Sequence, residues 1–188
     1  MSFIDVLRQY LFHIPFPTGE LPRNGSKKNL QDNELRALFV CSGNICRSPY
    51  AEARFRRLAQ EHGQAVHTAS CGTLRIEGRP AAPEMCRVAL DRGLDLGMHR
   101  SRGISLALID AADWIFVMEA QHRDAIVSMS PKTREKIVLL GSCLVPPGDV
   151  EDPMGRPHEA YLNAAIKIDE ALLNWYKNCI KNCIKTHS

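Results

Sequence analysis

Ala37-Leu38-Phe39-Val40-Cys41-Ser42-Gly43-Asn44-Ile45-Cys46-Arg47-Ser48-Pro49 carries an apolar run into a glycine-containing loop and then to a proline that suits the first turn of a helix. From Pro49 to about His62, Ala51, Phe55, Leu58 and Ala59 recur on one helical face. The stretch predicts strand, loop, helix.

The same order returns downstream. Ala65-Val66-His67-Thr68-Ala69 reads as a second strand, followed by a proline-rich loop and a helix from about Ala82 to Arg92 that Gly93 can cap. Trp114-Ile115-Phe116-Val117-Met118 and Ile137-Val138-Leu139-Leu140 read as the third and fourth strands. A helix over Gln121–Ser128 stands between them and is ended by Pro131. The last helix, from about Pro157 to Cys183, carries Tyr161, Ala165, Ile168, Leu172, Trp175 and Cys179 at helical spacing. Apolar strands alternating with helices predict an α/β fold of three layers, a four-stranded parallel sheet with helices on both faces. Ligands in such sheets bind beyond the carboxyl ends of the strands, where Cys41 stands.

The bulk properties exclude several classes. A net charge of +3, with acids and bases interspersed, offers nucleic acid no electrostatic footprint. No apolar run approaches the roughly 20 residues of a membrane span, and the charged start Met1–Arg8 does not read as a signal peptide. Seven cysteines, at 41, 46, 71, 86, 143, 179 and 183, lack the paired spacing of a zinc site or a disulfide framework, so a cytoplasmic protein is expected. Residues 1–35 read as an N-terminal extension: a candidate amphipathic helix bearing Phe3, Ile4, Leu7, Leu11 and Phe12, then a linker. Its partner is open, and docking on its own domain is the simplest expectation. Residues 36–178 form the expected domain and 179–188 a tail. Cys179 and Cys183 share a helical face there without further metal ligands.

The loop's composition points to phosphate chemistry. Backbone N–H groups of Ser42, Gly43, Asn44, Ile45, Cys46 and Ser48, curled around an anion, neutralise it. Gly43 and Asn44 tolerate the turns this needs. Arg47, six positions after Cys41, offers a planar fork for two phosphate oxygens while the sulfur faces phosphorus. The inward dipoles and a hydrogen bond from Ser48 stabilise a thiolate at Cys41. Thiolate attack also needs an acid for the leaving oxygen, and Asp152, in the turn Glu151-Asp152-Pro153-Met154-Gly155-Arg156 after the fourth strand, is the candidate.

Cys41-Ser42-Gly43-Asn44-Ile45-Cys46-Arg47-Ser48-Pro49 resembles the signature of the low-molecular-weight protein tyrosine phosphatases. Ser70-Cys71-Gly72-Thr73, His99-Arg100-Ser101-Arg102, Asp113–Met118 and the Asp-Pro near the C-terminus extend the similarity. The resemblance implies a flavodoxin-like phosphatase fold and a two-step reaction: Cys41 becomes a phosphocysteine while Asp152 protonates the leaving group, and Asp152 then activates water. It implies that Asn44, Ser48, Ser70 and His99 hold the loop's shape, that Cys46 traps an oxidised Cys41 reversibly, and that no metal or organic cofactor takes part. The implied substrate is a phosphotyrosine-bearing protein or a small phosphomonoester.

This chain departs from the family at the pocket walls. Met154 follows the Asp-Pro, and Leu74-Arg75-Ile76 follows Ser70, where aromatic residues usually sandwich a phenyl ring; Leu74, Ile76 and Met154 are the expected lining. Ile45 falls on the tyrosine side of the family, whose phosphoarginine enzymes typically carry Thr there. Two rival readings share the loop. Arsenate reductase needs two further relay cysteines, and Cys71, Cys86 and Cys143 offer no close pair in sequence. A phosphate-dependent binding module without turnover has no need of Cys41, Arg47 and Asp152 together.

Overall fold

The computed structural model describes residues 35–185, with side chains through 177. Its elements are β1 (Leu35–Cys41), α1 (Arg47–Glu61), β2 (Val66–Gly72), α2 (Pro83–Asp91), α3 (Leu106–Ala111), β3 (Trp114–Val117), α4 (Ala120–Met129), β4 (Ile137–Leu139) and α5 (His158–Lys185), with short 3₁₀ turns on either side of β4. The four strands form one parallel sheet in the order β2-β1-β3-β4.

Alternation along β1 assigns its two faces. Ala37 and Phe39 pack with Phe55 of α1, Met85 of α2 and Trp175 of α5 in one core. Phe39 and Phe116 stack with ring centroids 5.0 Å apart, and Trp175 meets Phe116 edge-on at 4.9 Å. Leu38 and Val40 point the other way, into a second core with Ile109 of α3 and Ile126 of α4. Each large side chain buried this way contributes about 1.5–3 kcal/mol, so both helical layers are fastened to the sheet. The three-layer α/β architecture follows, and β1, flanked by β2 and β3, delivers Cys41 to the middle of the sheet's carboxyl edge.

Two details differ from the sequence reading. Strand β2 runs on through Ser70, Cys71 and Gly72, because it pairs with β1 as far as Cys41↔Gly72. Helix α3 was not anticipated: it has six residues, buries only Ile109, and starts from a Ser105 side chain that accepts the Leu108 N–H at 3.3 Å. The candidate helix within residues 1–34 and the side chains of Cys179 and Cys183 lie outside the described residues. Among the described residues, no helix is long and apolar enough to cross a membrane.

Candidate active site

The loop from Cys41 to Arg47 occupies the switch point where β1 sends the chain to β2 on one side and receives β3 on the other. Asn44 adopts φ 54° and is fully buried. A left-handed non-glycine residue costs on the order of 1 kcal/mol or more, so its surroundings must impose it. They do: Asn44 Nδ2 donates to Ser48 Oγ and to Ser70 Oγ, both at 2.9 Å. Its Oδ1 accepts the Arg102 N–H at 2.9 Å, and its carbonyl accepts His99 Nε2–H at 2.7 Å. Ser70 in turn donates to Glu52 of α1 at 2.7 Å.

Cys41 Sγ lies at the centre of this arrangement. The Asn44 N–H reaches it at 3.3 Å, and Ser48 Oγ stands 3.0 Å away. Ser48 Oγ accepts from Asn44, and its own proton has two acceptors in reach, the sulfur at 3.0 Å and the Cys71 carbonyl at 3.4 Å, of which the sulfur is the nearer. The Asn44 N–H and the Ser48 hydroxyl thus meet at one sulfur, just before the start of α1.

Arg47 is 1% exposed and gripped from several directions. Nη1 donates to the Glu119 carboxylate and, at 2.9 Å, to the Val150 carbonyl. Nη2 donates to Asp152 Oδ2 at 2.6 Å and to Ser42 Oγ at 3.3 Å. Burial works against the Glu119 charge, yet the hydrogen bond and charge of Arg47 hold its carboxyl below the ordinary carboxylate value. Asp152 is the half-exposed partner, its other oxygen accepting the Met154 N–H at 3.2 Å. Asp152, more than a hundred residues beyond the loop that holds Cys41 and Arg47, thus stands in one constellation with them.

Three residues of this constellation escaped the sequence reading. Glu119 and His122 begin α4, where they form a reciprocal cap. His122 Nδ1 accepts the Glu119 N–H at 3.2 Å, so Nε2 carries the ring proton toward Ser42 Oγ, 3.0 Å away. Burial, and then the charge of Arg47, lower the His122 pKa and keep the ring neutral. The third is Gly72: a Cβ there would sit 2.6 Å from the Ser42 carbonyl oxygen and 2.9 Å from Asn44 N. The available signal was position, since Glu119 stands two residues past the end of β3 and Gly72 ends β2.

Of the residues expected at the mouth, Leu74 and Met154 are exposed and Ile76 is partly buried, and none is aromatic. Leu74 is 66% and Met154 49% exposed. The Leu74 N–H is bonded to the Ser42 carbonyl at 2.9 Å, and Ile76 Cδ1 lies 3.6 Å from the position of a Cβ on Gly43. Tyr161 supports the Asp152 turn by accepting the Gly155 N–H at 3.2 Å. Cys46 is buried beneath the loop, and its thiol is pushed up to about 12 by burial and then by Cys41 and Asp152. Among the described residues no group of three His, Cys, Asp or Glu side chains is placed to hold a metal ion.

A cysteine met by the Asn44 N–H, with the buried Arg47 on the same loop at the switch point of a parallel sheet, marks a doubly wound α/β domain built around a cysteine loop. The profile of the family described as low molecular weight phosphotyrosine protein phosphatase matches residues 36–185, and the chain belongs to this family of phosphatases. It is 31% identical to a protein-arginine-phosphatase of Bacillus subtilis (strain 168), over 77% of this chain and 97% of that protein. It is 32% identical to the low molecular weight protein-tyrosine-phosphatase Wzb of Escherichia coli (strain K12), over 73% of this chain and 90% of that one. Among solved structures, Vibrio vulnificus Wzb in complex with benzylphosphonate superimposes with a TM-score of 0.71 at 33% identity, covering 78% of this chain and 99% of that one.

Proposed function

We propose that the chain hydrolyses protein phosphotyrosine through a phosphocysteine at Cys41. The observation that carries this reading is the convergence on one loop of Cys41 Sγ, its donors Asn44 N–H and Ser48 Oγ–H, and the Arg47–Asp152 pair. The phosphate dianion enters among the loop N–H groups and takes Arg47 Nη2 from Asp152. Freed from Arg47, Asp152 takes up a proton from solvent, and the resulting carboxylic acid turns to the leaving oxygen. The Cys41 thiolate attacks phosphorus, the sulfur–phosphorus bond forms, the phosphorus–oxygen bond breaks, and Asp152 gives its proton to the departing phenol oxygen. Water then attacks the phosphocysteine, Asp152 accepts its proton, and phosphate leaves with Cys41 restored as thiolate.

Ile45 and the similarity to E. coli Wzb support tyrosine. A second reading, phosphoarginine, is favoured by the similarity to the B. subtilis protein-arginine-phosphatase and by aliphatic Leu74 and Met154 at the mouth. Cys71 and Cys143, pushed up by burial to about 12 and about 11, suit neither partner of an arsenate-reducing thiol relay.

Peptides bearing phosphotyrosine, phosphoarginine or phosphoserine decide between these readings. Phosphotyrosine should give the highest kcat/KM, and Cys41→Ser should abolish turnover of all three. A phosphoarginine kcat/KM more than tenfold above phosphotyrosine overturns the tyrosine assignment. Absence of turnover on every substrate overturns the mechanism.

A further inference from the structure

A second concavity, of about 400 Å³, lies between the outer face of α1, Ser70 of β2 and the segment from Asp95 to Arg102. It gathers three guanidinium groups, those of Arg56, Arg100 and Arg102. Among the described residues two carboxylates line the cleft with them, and both are engaged. Glu52 pairs with Arg56 at 2.5 Å and accepts from Ser70, while Asp95 accepts the Gly97 N–H at 2.8 Å.

The remaining cations lack acidic partners. Arg102 donates through Nε to the Ser70 carbonyl at 2.8 Å, and among the described residues neither of its Nη groups has a partner. Arg100 donates through Nη1 only to the carbonyls of Gly97 at 3.2 Å and His99 at 2.6 Å. Two exposed arginines whose guanidinium forks have no carboxylate partner among the described residues line one cleft with a third, a set of donors that suits a tetrahedral dianion. Leu96 and the 89% exposed Met98 add an apolar edge.

Ser70 and His99 line this cleft and also hold Asn44 in its left-handed conformation. We propose that the cleft is a second, regulatory site for a phosphate dianion, and that its occupation slows turnover at Cys41. A dianion there competes with the Ser70 carbonyl for Arg102 and with Glu52 for Arg56. Both partners belong to the chain of bonds that fixes Asn44, so the N–H that Asn44 aims at Cys41 loses its support. The dianion is supplied either as inorganic phosphate, which the phosphatase reaction releases, or as the phosphate of an organic ester whose apolar part rests on Leu96 and Met98.

Arg100→Gln isolates the cleft, because Arg100 touches nothing in the catalytic loop and basal kcat/KM should stay unchanged. In calorimetry on Cys41→Ser, inorganic phosphate should bind at two sites per chain, and one should weaken at least about tenfold when Arg100→Gln is added. Equal binding in the two proteins overturns the site. Adenosine diphosphate binding more tightly than inorganic phosphate identifies the organic source, and the reverse identifies the free product; adenosine alone should not bind. Released last, phosphate inhibits a phosphocysteine enzyme competitively at the catalytic loop. A second site therefore appears in wild-type kinetics as an added fall in kcat at saturating substrate, lost in Arg100→Gln. Purely competitive inhibition, or a kcat effect that survives Arg100→Gln, overturns the regulatory role. The regulatory claim rests on the proposed reaction, but calorimetry decides the site even if no substrate is turned over.

Discussion

Ser42 Oγ and His122 Nε2 lie 3.0 Å apart, which ties the second residue of the phosphate loop to the first turn of α4, 80 residues later. The Ser42 oxygen accepts from His122 and from Arg47, so its own proton is left to point toward the bound anion. His122 thereby positions a hydroxyl donor without touching phosphate.

Replacing His122 by Gln should lower kcat/KM about tenfold, the value of one well-placed hydrogen bond. It should also change the pH profile. The folded His122 pKa lies below the ordinary histidine value of 6.5, with Arg47, Glu119, Asp152 and Asp149 as its charged neighbours. Stability from the neutral ring is therefore complete above pH 6.5 and is lost as pH falls toward the folded value, because the unfolded chain takes the proton first. Denaturant titrations from pH 7 to 5 should show a smaller loss in His122→Gln than in wild type. Parallel curves would assign His122 no titrating role.

Glu119→Gln tests the grip on Arg47. The buried guanidinium would keep the Val150 carbonyl and Asp152 but lose a charged acceptor, at a cost of about 2 kcal/mol in stability. KM should rise more than kcat falls, since Arg47 binds phosphate in every state of the reaction. The Glu119 pKa is lowered on folding, so this stability is present above the ordinary carboxylate range and disappears as pH drops through the folded value. Chemical denaturation at pH 7 and pH 4 measures both effects: the difference between wild type and Glu119→Gln should shrink at pH 4.

Asp152→Asn removes the proposed acid while keeping the Asp-Pro turn. Turnover of a phosphotyrosine peptide should fall about 10²–10⁴-fold, the usual contribution of general acid catalysis. With p-nitrophenyl phosphate the loss should be smaller, because that phenolate needs less help to leave. Equal losses on the two substrates would argue that Asp152 acts through its pair with Arg47 alone.

The fold was legible because its signals are local. The apolar run ending at Val40 and the face Ala51, Phe55, Leu58 and Ala59 each carry their own period. Helix α3 was not, because six residues with one buried side chain give no period to read. Cys41, Arg47 and Asn44 stand together in one contiguous loop, and their identities suggested the chemistry. Glu119 and His122 carry no sign of a role in the sequence, and only the pairing of β3 with β1 brings their cap to Arg47. Gly72 stands in the stretch Ser70-Cys71-Gly72-Thr73 with no sign of its own role, although its missing side chain is what lets β2 pass under Ser42 and Asn44.

Gly72→Ala follows from that close approach. All three nearest neighbours of the added methyl are backbone atoms of the loop, 2.6–2.9 Å away, and no rotamer change relieves them. Overpacking of this kind costs about 1–3 kcal/mol. Displacement of Ser42 to Asn44 should lower kcat/KM by far more than the loss of stability alone would, measured at a temperature where the variant remains folded by circular dichroism.

Peroxide tests Cys46. The Cys41 thiolate is oxidised to a sulfenic acid as peroxide is reduced, and the Cys46 thiol then condenses with it, forming a Cys41–Cys46 disulfide and releasing water. The Cys46 thiol, buried and pushed up to about 12, is almost wholly protonated at neutral pH. Condensation should therefore be slow and accelerate with rising pH, since the attacking species is the thiolate. Wild-type enzyme inactivated by brief peroxide treatment should regain most of its activity with dithiothreitol. Cys46→Ser, which leaves the sulfenic acid open to further oxidation, should regain progressively less as exposure lengthens. Equal recovery of the two proteins after long exposure would mean that the loop protects Cys41 without Cys46.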